Sequence, residues 1–98
     1  MPKAYWITTY RSISNPDAVA AYAKLAGPAL MAQGGRFIAR GMPLKTMEQG
    51  LMQRTVVIEF PSAEAATKAY ASPSYQEALA ALGKNSCERD IRVVEAAE

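Results

Sequence analysis

Histidine is absent from the 98 residues, and cysteine occurs once, as Cys87. Without a His there is no Ser-His or Cys-His catalytic pair and no His-ligated haem. With a single Cys there is no disulfide within the chain and no Cys/His metal cluster. Charge of one sign is also scarce: eleven Lys and Arg face nine Asp and Glu, a net of +2, so no basic stripe for nucleic acid is indicated. No apolar run is long enough for a signal peptide or a membrane span, since the opening MPKAYWITTY mixes polar and aromatic residues. A cytoplasmic location is therefore expected, with Cys87 as a reduced thiol. Its neighbours Ser86, Glu88 and Asp90 do not favour a thiolate, which makes a structural role the simpler reading. The carboxylates are scattered, so neither a metal cage nor a cofactor is expected.

What is present has a globular balance, 50% hydrophobic and 20% charged, in a length that suits one domain, 1–98. Residues 4–11, AYWITTYR, are aromatic and β-branched and predict a strand. Asn15-Pro16-Asp17 is a helix start: Asn15 can accept from free N–H groups, Pro16 has a suitable φ, and Asp17 faces the positive end of the dipole. Val19, Tyr22, Ala23, Ala26 and Leu30 make the apolar face. Gly27-Pro28 predicts a kink or restart, because Pro28 cannot donate to the Lys24 carbonyl, and Gly34-Gly35 ends the helix. Those two glycines lack the spacing of a phosphate or dinucleotide loop.

Arg36–Arg40 alternates as a strand, and a long hairpin with Glu48-Gln49-Gly50 at its tip returns along Arg54–Phe60. Pro61-Ser62 and Ser72-Pro73 each announce a helix, the second running to about Leu82 with Tyr75, Ala78, Leu79 and Leu82 as its stripe. Gly83 and Asn85 release it, and residues 91–95 form a last strand. The order strand, helix, strand, strand, helix, strand is the ferredoxin-like βαββαβ arrangement, an α+β fold with a four-stranded antiparallel sheet and helices on one face. Its other face, carrying Ile38 and Val57, has nothing left in the chain to cover it. A second copy packed sheet against sheet would do so, which predicts a homodimer.

The strings GGRFIARG at 34–41, VVIEFPSAEAATKAYASPSYQEAL at 56–79 and VVE at 93–95, with AYWI at 4–7, resemble a bacterial family known as domain of unknown function 1330. The resemblance implies a dimeric α+β barrel built from ferredoxin-like protomers. It brings no reaction with it. The chain departs from the family pattern at Gly83, where members often carry an Arg, and at Ala96, where they often carry a Gly. A ligand held by that Arg in relatives would be held differently here.

If Val56, Ile58 and Phe60 face the helices, Thr55, Val57 and Glu59 face the partner sheet. The same alternation sends Phe37 and Ala39 under the helices and Arg36, Ile38 and Arg40 to the other side. Glu59 with Arg40 is then the first candidate constellation, Arg40 anchoring an anionic group and Glu59 accepting a proton with a raised pKa. The plainer reading is a structural ion pair or dimer contact. Trp6, with Tyr5 and Tyr10, could line a pocket or serve core and interface, and the sequence leaves their faces open. Tyr70 and Tyr75 flank the break at Ser72-Pro73 and could offer phenols to a helix-sheet cleft or simply pack in the core. Met42, Met47 and Met52 make the long hairpin a pliable contact surface or a space filler.

Two functions follow. One is a small-molecule-binding dimer without catalysis, with its cleft near the sheet. The other, by analogy within the superfamily, is a cofactor-independent oxygenase or isomerase acting on a small aromatic or lactone-like metabolite. A cavity of roughly 300 Å3 or more beside Glu59 and Arg40 would favour ligand binding.

Overall fold

Four strands, β1 (Ala4–Ile13), β2 (Arg36–Gly41), β3 (Thr55–Phe60) and β4 (Cys87–Glu95), form one antiparallel sheet in the order β2-β3-β1-β4. The structure is a computed structural model and describes residues 2–97. Three helices, α1 (Pro16–Ala32), α2 (Ala63–Ala71) and α3 (Pro73–Leu82), lie on one side of the sheet. This is a ferredoxin-like α+β fold. Among the described residues no helix is long and apolar enough to cross a membrane, and no group of three or more acidic or Cys side chains is placed to hold a metal ion.

The pleat sorts side chains between the two faces. Ala4, Trp6, Thr8 and Tyr10 of β1 and Val56, Ile58 and Phe60 of β3 are buried beneath the helices. There they meet Val19, Tyr22, Ala26 and Leu30 of α1, Ala66 and Ala69 of α2, and Tyr75, Ala78 and Leu82 of α3. Trp6, Tyr75, Phe60, Leu30 and Ile58 are the largest fully buried side chains, and each contributes about 1.5–3 kcal/mol by leaving water. Tyr5, Ile7 and Thr9 pair with Glu59, Val57 and Thr55 on the opposite face, which no helix covers.

Local chemistry sets the element ends. Asn15 Oδ1 accepts from the Ala18 N–H at 3.2 Å, and the Ser62 and Ser72 hydroxyls accept from Ala65 and Tyr75 at 3.1 and 3.4 Å. The end of α1 is closed by Gly34 N–H to Met31 O at 3.0 Å and Gly35 N–H to Leu30 O at 2.9 Å, with Gly34 at φ 96°, the paired bonds of a Schellman cap.

Four expectations need correction. Helix α1 continues through Gly27-Pro28 without a restart, with Pro28 on its exposed side, where water can serve the Lys24 carbonyl it leaves unbonded, while Ala26, Gly27, Ala29 and Leu30 hold the buried one. The hairpin tip at Glu48-Gln49 is present, closed by Gly50 N–H to Met47 O at 2.9 Å, but residues 42–54 form a loop with no strand in its arms. Strand β4 begins at Cys87 rather than 91, and β1 continues to Ile13, since the two ends pair with each other. In β2 the register with β3 shifts between Phe37 and Ala39, where Ile38 is an extra, unpaired residue. Such a bulge turns every later side chain to the other face, so Ala39 falls opposite Val57 on the open face and Arg40 opposite Val56 on the helix face.

Candidate functional site

Glu59 and Arg40 do not meet. Glu59 lies on the open face, where its Oε1 accepts from Arg36 Nη2 at 2.8 Å and Nε at 3.3 Å and its Oε2 pairs with Lys3 Nζ at 3.0 Å. Hydrogen bonds first from Arg36 and then from Lys3 hold its carboxyl below the usual range, the reverse of the raised pKa expected of a proton acceptor. The depression beside it has a volume of 320 Å3 and is lined by Lys3, Gly34, Arg36, Glu59, Phe60 and Pro61, without Arg40. Arg40 is carried by the bulge to the helix side, where its guanidinium lies 4.4 Å from the Phe37 ring centroid.

The other candidates converge beneath the helices. Trp6 is buried from the middle of β1, with its indole N–H donating to Thr8 Oγ1 at 2.9 Å. Its ring stands edge-on to Tyr75 at 5.3 Å and tilted against Tyr70 at 5.9 Å. The break at Ser72 makes this possible: α2 ends and α3 begins there, so Tyr70 and Tyr75 leave two different helices and still touch at 5.3 Å. Tyr22 of α1 joins through a 2.7 Å hydrogen bond between its hydroxyl and that of Tyr75. Burial pushes the Tyr75 phenol far up and the Tyr10 phenol up as well. Both are therefore neutral hydrogen-bonding groups at ordinary pH.

Into this cluster reaches a residue that sequence reasoning did not single out. Arg89 sits opposite Tyr10 on β4, with its guanidinium carbon 4.6 Å from the Tyr22 ring centroid and 5.5 Å from that of Tyr10. Its Nη1 donates to Tyr10 Oη at 3.2 Å and its Nη2, more loosely, to Tyr75 Oη at 3.5 Å. The signal for it was available. Arg89, Ile91 and Val93 alternate, so extending the last strand by four residues places Arg89 on the inner face.

Trp6 and Arg89 stand between two hollows. One, about 30 Å3, lies against α1 and also takes in Tyr22, Gly27, Arg40 and Arg54; it has room for a water or two. The other is a cleft of about 560 Å3 between α2 and β4, with Trp6 and Tyr70 as aromatic walls, Ala66, Ala71, Ile91 and Val93 as apolar lining, and Thr67 and Arg89 as polar groups. Its size suits a small metabolite. It exists because Val93, although on the helix face, is left 41% exposed by the short α2. Of the predicted site residues, then, Trp6, Tyr70 and Tyr75 come together, Arg40 lines the small hollow and a separate depression with Gly41, Met42 and Pro43 but not the cleft, and Glu59 is on the opposite face.

Solved structures share this fold. A protein of unknown function from Rhodopseudomonas palustris is 17% identical and superposes with a TM-score of 0.75 over 99% of this chain and 84% of its own. A dimeric ferredoxin-like protein of unknown function from Thermobifida fusca is 18% identical, with a TM-score of 0.67 over 97% of this chain and 92% of its own. SnoaB, a cofactor-independent oxygenase from Streptomyces nogalater, is 14% identical, with a TM-score of 0.67 over 100% of this chain and 96% of its own. At these identities the likeness is one of fold. No curated protein matches the chain in sequence. The profile of the domain of unknown function DUF1330 matches residues 3–97, and the chain belongs to that family.

Proposed function

We propose that this protein binds a small molecule in the cleft between α2 and β4, without catalysis of its own. In this reading residues 1–98 form one cytoplasmic domain and act as a homodimer joined through the open sheet faces. The cleft itself carries the proposal: about 560 Å3, walled by Trp6 and Tyr70 and polar at Arg89 and Thr67. Such a mixture of apolar walls and a few fixed polar groups is how small-molecule sites are built. The dimer is supported by the uncovered face of the sheet and by the 42–54 loop beside it, which leaves Met42, Leu44, Met47, Leu51 and Met52 exposed.

The test is a thermal-shift screen of metabolites on the wild type and on Thr67→Trp, whose indole would fill the mouth of the cleft. A ligand that raises the midpoint of the wild type should lose at least about tenfold in affinity in the variant. Equal affinity for both proteins would overturn this cleft as the site.

A second reading keeps the same cleft and adds turnover of a small aromatic or lactone-like metabolite without a cofactor. Its support is the shared fold with SnoaB. Against it stands the chemistry available there: the lining of the cleft holds no carboxylate, the Tyr10 and Tyr75 phenols, which bond Arg89 from outside the lining, are pushed up, and Glu59, the other candidate base, is ion-paired on the other face. Binding is therefore the better-supported function.

A further inference from the structure

Arg89 is a half-buried cation whose bonding partners are neutral. The four ion pairs among the described residues join Lys3 and Arg36 to Glu59, and Arg11 and Arg92 to Asp90; none includes Arg89. Asp90 follows it in sequence, but the pleat points that carboxylate to the open face, where it accepts from Thr9 and Arg11 at 3.1 and 2.6 Å. What Arg89 has instead are two phenol oxygens and the faces of two tyrosine rings. A cation taken from water is poorly compensated by uncharged acceptors. The phenols cannot supply the missing charge near neutrality, because burial raises their pKa values.

A guanidinium has five N–H donors, more than the hydrogen bonds to Tyr10 and Tyr75 use, and Arg89 lines the cleft. No Asp or Glu lines either hollow that Arg89 borders, so an incoming anion meets no repulsion. One guanidinium matches one carboxylate as a two-pronged pair; a doubly charged phosphate would call for more positive charge than the larger cleft offers. The rest of that cleft is shaped for a flat apolar body, between the Trp6 and Tyr70 rings and over Ile91 and Val93.

We infer that the ligand of the cleft between α2 and β4 is a small aromatic or cyclic carboxylate, its anionic group paired with Arg89 and its ring against Trp6 and Tyr70. This rests on the cleft being the binding site, and it adds charge and shape to that reading.

Benzoate and benzamide have nearly the same shape and differ in charge. Each is titrated into the 15N-labelled wild type and into Arg89→Gln, following the indole N–H signal of Trp6, the one tryptophan of the chain. Benzoate should shift that signal saturably with an affinity at least about tenfold above that of benzamide. In Arg89→Gln the preference should shrink to about twofold or less. Equal affinities in the wild type, or a preference that survives in Arg89→Gln, would overturn the carboxylate assignment and leave the cleft as a site. Inorganic phosphate displacing benzoate at equal concentration would overturn the choice of a carboxylate. No shift from either aromatic probe up to about 10 mM would overturn both the inference and the cleft. The wild-type comparison decides the matter even if Arg89→Gln fails to fold.

Discussion

Glu59 holds two cations at once, with Lys3 on one carboxylate oxygen and Arg36 on the other. Its pKa lies below the ordinary 4.5, so the folded protein keeps the charged form more readily than the unfolded chain does. A depressed carboxylate contributes stability that is fully present above the unfolded pKa and is lost as pH falls through the folded one. The thermal midpoint of the wild type should therefore exceed that of Glu59→Gln at pH 7, and the gap should begin to close as pH falls below the ordinary 4.5 and vanish only below the depressed folded pKa. A gap that persists unchanged into acid would remove ionisation of Glu59 as its source. Residue identity alone carried part of this. Glu59 was legible as a charged group on the open face, but the choice of partner was not: alternation through β2 puts both Arg36 and Arg40 on that face, and the extra residue Ile38 takes Arg40 away while leaving Arg36 opposite Glu59. Bulges of this kind depend on how two strands meet and leave little trace in either strand alone.

At the level of elements, most of the fold was legible from caps and periodicity. Asn15, Ser62 and Ser72 start the three helices at the expected places, and Gly34-Gly35 closes the first. The misses lie where local signals are weak: Cys87–Asp90 has no apolar alternation of its own and becomes strand only because β1 is there to pair with it. Two glycines, Gly27 inside α1 and Gly35 just beyond its cap, separate helix propensity from close packing. At Gly27 an added Cβ would meet nothing within 4 Å, so Gly27→Ala should stabilise the protein by about 0.5–1 kcal/mol through propensity. At Gly35 the same Cβ would lie 2.8 Å from the Leu30 carbonyl oxygen and 2.9 Å from Phe60 Cζ. Gly35→Ala should therefore destabilise by about 1–3 kcal/mol. Urea unfolding of both variants checks the pair, and equal effects of the same sign would contradict the packing described around α1.

As a whole the molecule is a slab, with Cα extents of 37 × 35 × 16 Å, the shape of one helix layer on one sheet. Its bare side presents Ile7, Val57 and Val94 among charged residues, with the 42–54 loop overhanging to form a hollow of about 690 Å3 with Ile7, Thr9, Asp90 and Arg92. Light scattering should give twice the chain mass, and a monomer at micromolar concentration would sink the pairing of sheets. The position of Trp6 has a consequence in optical terms. It is the sole indole, packed 5.3–6.0 Å from the rings of Phe60, Tyr70 and Tyr75, close enough for excited tyrosines to pass their energy to it. Light absorbed by those phenols thus emerges from one buried emitter that is also a wall of the cleft, and a single emission band reports both on the intact core and on whatever occupies the space beside it.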